Sequence, residues 1–362
     1  MPTISAGDKV LVSGANGFVA TWVVRRFLEK GYAVRGTVRS ADKGKFLEDL
    51  FQQYGERFEV VVVEDITKAR ILFEGAFDEA VKGVDAIAHT ASPFYLNAVS
   101  HDELIGPAVN GTVGILRSAV KSGQNVKRID VTSSCASVSE VGVDKVFSEL
   151  DWNDLAVRDV WEQGDNAPGL SKYCASKTLA EKAAWEFYEK SRSDIKWDLS
   201  VLNPPFVFGP AIHDIKNPDA LNTSARMWYE TVLVDGKSKD FLTVQGLAYA
   251  DVRDVAEAHV LALEKEAAGG ERIIISAGES LYPAFPRLNT NRSLRFLLDV
   301  ANALSPSPIP SHPSLPVGYP GVPWKAPVEY DTSKGARILG LKYRTKEELT
   351  RDTLADFEKR GW

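Results

Sequence analysis

With 362 residues, 44% of them hydrophobic and 25% charged, the chain can bury a large core, and its composition does not predict disorder. The formal net charge of −6 does not attract the negatively charged backbone of a nucleic acid, so we expect no nucleic-acid partner. No apolar run approaches the roughly eighteen residues of a membrane-spanning helix, and the N-terminus lacks a signal-peptide pattern, so we expect no membrane contact and a cytoplasmic protein. Two cysteines and five scattered histidines predict neither a disulfide framework nor a metal site.

Short β-branched runs alternate with helical periods in the first part of the chain. The order is "KVLVSG", a helix to Lys30, "YAVRGTV", a helix through Phe51, "FEVVVVED", a helix to about Val81, and "VDAIAHTAS". Continuous apolar strands such as residues 60–63 are typical of a parallel sheet that is covered on both faces. With right-handed crossovers, this order predicts an α/β fold with a Rossmann-type, doubly wound parallel sheet.

The second part of the chain continues the sheet and then becomes less regular. An amphipathic helix precedes a strand at residues 128–132, and a further helix precedes the strand in "WDLSVLNPP". "ADVRDVAEAHVLALEK" predicts a helix capped by Asp251, and "ERIIIS" predicts another strand. Residues 305–327 contain eight prolines, which we interpret as an ordered connection that buries Tyr319 and Trp324.

The loss of regularity after the sixth strand also suggests a division of the chain. We expect residues 1–204 to form a dinucleotide-binding Rossmann domain, to which residues 246–278 return. Residues 205–245 and 279–362 would then form a smaller, C-terminal substrate-binding lobe.

The turn after the first strand has the pattern G-x-x-G-x-x-A. Gly14 permits the tight turn, Gly17 lets the backbone approach a pyrophosphate, and Ala20 allows the helix to pack closely on the strand. A plain glycine turn is the alternative, but its place in the first βα crossing of a long βαβ series favours a dinucleotide site. The expected cofactor contacts from this turn are Gly14, Asn16, Gly17, Phe18 and Val19.

No carboxylate ends the second strand, where NAD-binding proteins hold the adenosine ribose. Instead "GTVRSADKGK" places Arg39 there, with Lys43 close behind. A guanidinium pairs with a phosphate that a carboxylate would repel, so we expect NADPH or NADP⁺. A solvated basic patch is the alternative interpretation. The remaining expected cofactor contacts near this strand and the next two are Asp65, facing the adenine amine, and Ile66, Thr90 and Ser92.

Tyr173 and Lys177 lie four residues apart in "GLSKYCASKTLAEKAAW", on one face of a predicted helix. This spacing alone is common on surface helices. The fifth strand, however, ends in "DVTSSCAS", which places Ser133 and Ser134 at the sheet edge where ligands bind. A strand-end serine, a Tyr-x-x-x-Lys helix and the glycine turn together are far more specific than any of these features alone.

This combination resembles the extended short-chain dehydrogenase/reductase family, most closely the branch of dihydroflavonol reductases and fungal NADPH-dependent aldehyde or carbonyl reductases. The stretches that carry the resemblance are "SGANGFVA", "GTVRS", "VVEDI", "ASPF", "PAVNGT", "VTSS", "YCASK", "LNPPFVFGP" and "YADVRDVAEAH". The resemblance implies that Ser134 polarises a carbonyl and that Tyr173 donates a proton. It implies that Lys177 binds the nicotinamide ribose and lowers the pKa of the phenol. Pro204 and Val207 would line the nicotinamide side.

We therefore expect an NADPH-dependent reductase that transfers hydride to a ketone or aldehyde and acts as a monomer or homodimer. The alternatives are a nucleotide-sugar epimerase or dehydratase, against which Arg39 argues, and a non-catalytic NADP(H)-binding sensor, which typically lacks the tyrosine or the lysine. Large aromatic side chains suggest a bulky apolar substrate, although aromatics more often belong to cores. The expected substrate contacts are Phe94, Ser134, Tyr173, Phe206 and Trp228.

Overall fold

Strands form where short runs of valine, isoleucine and alanine occur, because both faces of the sheet are covered. The computed structural model describes residues 3–67, 75–92, 100–143, 145–244, 248–277, 294–319 and 328–362. The strands in these ranges are β1 Lys9–Ser13, β2 Ala33–Val38, β3 Phe58–Val62, β4 Ala86–His89, β5 Arg128–Thr132, β6 Val146–Phe147, β7 Asp198–Asn203, β8 Phe206–Phe208, β9 Tyr249–Asp251, β10 Arg272–Ile274 and β11 Glu329–Tyr330.

Amphipathic segments between the strands form helices. Asp251 caps one of them as predicted, since its side chain accepts a hydrogen bond from the amide of Arg253. None of the helices in the described ranges is long and apolar enough to cross a bilayer. The helices are α1 Phe18–Glu29, α2 Ala41–Phe51, α3 Asp102–Ser122, α4 Asp154–Gln163, α5 Gly169–Ser191, α6 Thr223–Leu233, α7 Lys239–Val244, α8 Val252–Glu264, α9 Arg295–Ala303, α10 Ser333–Leu339 and α11 Lys346–Arg360. Short 3-10 helices span Gln52–Arg57, Cys135–Ser137, Gly164–Asn166, Pro218–Ala220 and Glu266–Ala268.

One parallel sheet organises the fold. Within the described ranges it has seven strands, in the order β3-β2-β1-β4-β5-β7-β10. The order reverses direction between β1 and β4, so the loops that follow these two strands border the crevice in which ligands of such sheets bind. The predicted doubly wound, Rossmann-type fold is thereby confirmed. Two short parallel pairs, β6 with β11 and β8 with β9, lie outside this sheet.

Both faces of the sheet are buried, which explains the apolar runs of β1 and β4. Val10 of β1 shares a core cluster with Val260 of α8 on one face. Its neighbour Leu11 points to the other face, where it shares a cluster with Ile115 of α3 and Ala184 of α5. The helices α1 and α8 therefore cover one side of the sheet, and α3 and α5 cover the other.

A third core cluster forms where the later helices meet the β7–β10 edge of the sheet. It includes Trp228 of α6, Leu297 of α9 and Phe357 of α11, together with Leu202 of β7 and Ile273 of β10. The segments after β7 therefore share their core with the sheet edge. The division into a Rossmann domain and a smaller lobe, with the boundaries given above, remains a prediction.

The prediction of a helix that ends near Val81 is wrong for the last residues of that helix. Residues 76–83 form turns, and residues 68–74 lie outside the described residues. The Asp78 carboxylate accepts hydrogen bonds from the Gly75 amide at 3.0 Å and from the Ser118 hydroxyl at 2.7 Å. A side chain that bonds the backbone three residues earlier offers the chain an alternative to the helix.

Ile309 anchors the proline-rich connection, since it is completely buried in the third core cluster. Tyr319 is 39% exposed, so the expected burial of this residue is wrong. Trp324, the other residue expected to be buried, lies outside the described residues.

Candidate active site

The turn between β1 and α1 requires glycine at position 14 and ends at the start of a helix. Gly14 has a φ of +64°, and a Cβ added there would lie 3.1 Å from the Cβ of Ala91. The Gly17 amide donates to the Gly14 carbonyl at 2.9 Å, and α1 begins at the next residue. The first turn of α1 has no side-chain cap and no acidic residue, so its amides can bind an anion. Asn16 and Val19 are half-buried beside this turn, and the side chain of Phe18 is buried.

Two cations lie beside that turn, at the same edge of the sheet. Arg39 follows β2, Lys43 lies in the first turn of α2, and both are exposed. The Ala15 amide donates to the Thr37 carbonyl at 2.8 Å, which holds the glycine turn against the end of β2. Neither cation makes a side-chain hydrogen bond or ion pair with another described residue. Unpaired cations of this kind suit a phosphate group.

Asp65 and Ile66 lie beyond the end of β3. The Asp65 carboxylate accepts hydrogen bonds from the amide of Thr67 at 2.9 Å and from its hydroxyl at 2.6 Å, which forms a local turn. Ile66 packs under α3, since a Cβ on Gly111 would lie 3.0 Å from its Cδ1. Asp65 therefore already has partners of its own in this structure.

A hydrogen-bonded cluster joins the ends of β1 and β4. Ser13 Oγ accepts the amides of Thr90 and Ala91, each at 3.0 Å, and lies 2.9 Å from Nδ1 of His89. The Thr90 hydroxyl donates to the Ser13 carbonyl. Burial lowers the pKa of His89 to about 3, helped by the positive charge of Lys177, so the ring is neutral at physiological pH. His89 thus links the end of β4 to Ser13 of β1.

Ser134 and Tyr173 are brought together although they are 39 residues apart in sequence. Ser134 follows β5, and its Oγ accepts the amide of Ala136 at 3.1 Å. Its hydroxyl faces the phenol of Tyr173 and lowers the pKa of that phenol. Burial raises the pKa of Tyr173 well above its usual value and outweighs the effect of Ser134. The phenol is therefore protonated at neutral pH.

Lys177 lies one helical turn after Tyr173 and is also buried. Its Nζ donates to Ser92 Oγ at 2.8 Å and lies 5.9 Å from the centroid of the Tyr173 ring. Burial lowers the pKa of Lys177 to about 8, and the charge of Glu181 opposes this shift. The net pKa of Tyr173 is therefore raised in this structure, and a lowering of it by Lys177 stays a prediction. The ammonium is directed to Ser92, and burial dominates the phenol.

Pro204 lies beside Ser134. The Pro204 carbonyl accepts the amide of Cys135 at 2.9 Å and lies 3.5 Å from Ser134 Oγ. Val207 is buried in β8, where it belongs to the third core cluster. The structure thus places Pro204, but not Val207, in contact with the segment after β5.

The aromatic residues expected to contact substrate differ in their surroundings. Phe206 is 40% exposed at the start of β8. Trp228 is only 1% exposed, with its ring centroid 5.7 Å from that of Phe357. Trp228 therefore belongs to the core, and its assignment to the substrate pocket is wrong. Phe94 lies outside the described residues.

Two buried charged residues near the site are not singled out by the sequence motifs. Glu181 of α5 is 2% exposed, and its Oε1 accepts a hydrogen bond from Nε of Arg272 in β10 at 2.5 Å. The available signal was spacing, since Glu181 lies four residues after Lys177 and eight after Tyr173. A charged residue on that helix face lies toward the sheet rather than toward water.

Comparisons with known proteins agree with this geometry. The model of the NAD-dependent epimerase/dehydratase family matches residues 10–278. The chain belongs to this family. The resemblance to the extended short-chain dehydrogenase/reductases is thereby confirmed.

Members of the family from fungi match almost the whole chain. The NADPH-dependent methylglyoxal reductase Gre2 of Saccharomyces cerevisiae is 34% identical over 359 residues, which is 97% of this chain and 98% of the relative. The ketoreductase azaE of Aspergillus niger is 34% identical over 347 residues and covers 94% of each chain. The crystal structure of yeast methylglyoxal/isovaleraldehyde reductase Gre2 complexed with NADPH has a TM-score of 0.80 at 33% identity, covering 97% of this chain and 99% of that one.

Proposed function

We propose that this chain is an NADPH-dependent carbonyl reductase that converts an aldehyde or ketone into an alcohol. The proposal rests on three side chains that lie together: the Ser134 hydroxyl faces the Tyr173 phenol, and Lys177 Nζ lies 5.9 Å from the centroid of the Tyr173 ring. These three side chains lie at the carboxyl edge of the sheet, where the glycine turn and Arg39 also lie.

The residues at this edge fit NADPH. The glycine at position 14 and the backbone amides of the uncapped first turn of α1 suit a pyrophosphate. The unpaired side chains of Arg39 and Lys43 suit the additional phosphate that distinguishes NADPH from NADH. Lys177 is placed to hold the nicotinamide ribose. When bound, the reduced nicotinamide supplies the hydride.

The chain itself supplies a proton and two hydrogen-bond donors. Because burial keeps the Tyr173 phenol protonated, Tyr173 can donate its proton to an oxygen on which negative charge develops. Ser134, whose hydroxyl faces Tyr173, can donate to the same oxygen. Proton donation leaves a phenolate on Tyr173. The Lys177 ammonium, 5.9 Å from the centroid of the Tyr173 ring, then lowers the free energy of this phenolate.

The two alternatives fit less well. Two relatives that match 94% or more of the chain are named a methylglyoxal reductase and a ketoreductase, which favours reduction over sugar epimerisation. A binding protein without turnover would not require a serine and a tyrosine that face each other beside a buried lysine. Both considerations support the reductase.

Three finer points belong to the same proposal. The substrate carries an aryl or other bulky apolar group, for which the exposed ring of Phe206 provides a contact surface. The chain works in the cytoplasm, which suits its two free, buried cysteines. It acts without nucleic acid, as a monomer or homodimer. Light scattering and the location of a fluorescent fusion test the last two points.

The direct test follows the loss of nicotinamide absorbance when NADPH meets a panel of aldehydes, aryl ketones and β-keto esters. We expect turnover by the wild type and a loss of at least about 100-fold in Tyr173→Phe, the usual size of an acid-catalysis contribution. Tyr188→Phe is the matched control, because Tyr188 is buried on the same helix and packs against Trp197. Absence of turnover on every substrate, or equal activity of Tyr173→Phe, contradicts the proposal.

A further inference from the structure

Glu181 forms the centre of a buried polar cluster beneath the proposed catalytic residues. Its Oε2 accepts hydrogen bonds from Ser133 Oγ at 2.5 Å and from Asn203 Nδ2 at 2.8 Å, and Ser137 Oγ lies 2.6 Å away. Its Oε1 pairs with Arg272. The cluster thus joins α5 to the ends of β5 and β7 and to β10.

The partners of Glu181 indicate that it carries a negative charge. Every group within hydrogen-bond distance of its oxygens is a hydroxyl, an amide or a guanidinium, and an ionised carboxylate can only accept. Arg272 is itself fixed by the carbonyls of Glu149 and Asp151, at 2.7 and 3.0 Å. Its guanidinium also lies 3.6 Å from the centroid of the Trp152 ring. The carboxylate is therefore held in one place by rigid neighbours.

This cluster contacts the segment that carries Ser134. Ser133 and Ser137 lie on either side of it in sequence, and both reach Glu181. The Asn203 amide, while bonded to Glu181, also donates to the Ser134 carbonyl at 3.2 Å. The backbone at Ser134 is thus tied to the carboxylate through three side chains.

Glu181 also lies one helical turn from Lys177, on the same face of α5. Among the described residues, the ionisable groups that interact with Lys177 are Tyr173 and Glu181 on α5 and His89 from β4. Tyr173 is protonated and His89 is neutral, so Glu181 is the group of these that provides a negative charge. Its charge opposes the effect of burial on the Lys177 pKa.

We propose that Glu181 is a positioning residue of this active site, which holds the Ser134 turn in place and keeps Lys177 an ammonium. It acts through those two residues and does not touch the substrate. The proposal rests on the proposed reductase function, because it assigns the purpose of Ser134 and Lys177 from that function.

The test is the pKa of Lys177 in Glu181→Gln, measured by competitive acetylation with acetic anhydride across a pH series and peptide mass spectrometry. This readout needs no turnover, so it separates the inference from the reductase proposal. We expect the pKa of Lys177 to fall by about one pH unit in this variant. Glu186→Gln is the matched control, since Glu186 is an exposed residue of the same helix that pairs with Lys190. It should leave the Lys177 pKa unchanged.

A second variant distinguishes charge from packing. Glu181→Asp keeps the charge but shortens the side chain, so Lys177 should keep nearly its wild-type pKa while the serine contacts weaken. An unchanged Lys177 pKa in Glu181→Gln, or equal shifts in the Gln and Asp variants, overturns the proposal. If Glu181→Gln does not fold, the double variant Glu181→Gln/Arg272→Met removes the unpaired guanidinium and is measured in the same way. A smaller fall in pKa is expected there, because the repulsion from Arg272 is also lost.

Discussion

Arg39 is an exposed cation without a partner among the described residues, and the choice of cofactor depends on it. A hydrogen bond to a charged group contributes about 1.5–3 kcal/mol. We therefore expect Arg39→Ala to weaken NADPH binding by about 10- to 100-fold and to leave NADH binding unchanged. Fluorescence titration with each cofactor measures both effects. Lys45→Ala is the control, since Lys45 is also an exposed cation and lies nearby, in α2. An equal loss for NADPH and NADH would show that Arg39 does not recognise the extra phosphate.

Lys177 gives the proposed reaction a pH dependence. As the pH rises through about 8, the buried ammonium loses its proton and with it the charge that favours a Tyr173 phenolate. We expect kcat/KM for the carbonyl substrate to fall above about pH 8. Lys177→Arg should retain part of the activity without this fall, because a guanidinium stays charged. A wild-type profile that remains flat to about pH 10 would contradict this assignment.

Individual residues differ in how far sequence can predict them. Ser134, Tyr173 and Lys177 combine in a motif whose spacing is specific, and the structure brings them together. The position of Trp228 could not be predicted, because sequence does not distinguish a large aromatic residue in a core from one that lines a pocket. The position of Glu181 could not be predicted either, since its burial depends on partners in three distant strands.

The turn between β1 and α1 depends on glycine at one position. We expect Gly14→Ala to lower the free energy of unfolding by about 2–4 kcal/mol, because a positive φ and a close contact with Ala91 both oppose a side chain. Gly83 has a φ of +70° but open space around its Cα, so Gly83→Ala should cost only about 1 kcal/mol. Urea unfolding of the two variants separates strain from contact. Equal losses would show that Ala91 accommodates the methyl group.

Secondary-structure elements follow local patterns unless side chains compete with the backbone. The strand at residues 128–132 and the helix capped by Asp251 form as predicted, because β-branched residues and a capping residue act locally. The predicted helix before β4 fails over residues 76–83, where Asp78 bonds the Gly75 amide and Ser118 of α3. Periodicity alone carries no information about that second partner.

At the scale of the whole molecule, the order of strands creates the site. The glycine turn, the end of β4 and the end of β5 come from separate parts of the chain, and they meet because the strand order reverses between β1 and β4. Sequence predicts this arrangement, since alternating strands and helices with right-handed crossovers allow few topologies. The packing of α6, α9 and α11 on the β7–β10 edge is not predictable in the same way, because it depends on contacts between residues far apart in the chain.

Hydride transfer to a carbonyl carbon is measured with NADPH deuterated at the nicotinamide C4, an aldehyde or ketone as acceptor, and mass spectrometry of the product. We predict one deuterium on the carbinol carbon of the alcohol with the wild type and none above background with Tyr173→Phe. Binding of NADPH without deuterated alcohol from any carbonyl compound would contradict the account. Conversion of a nucleotide sugar without net oxidation of the cofactor would replace the reductase with the epimerase.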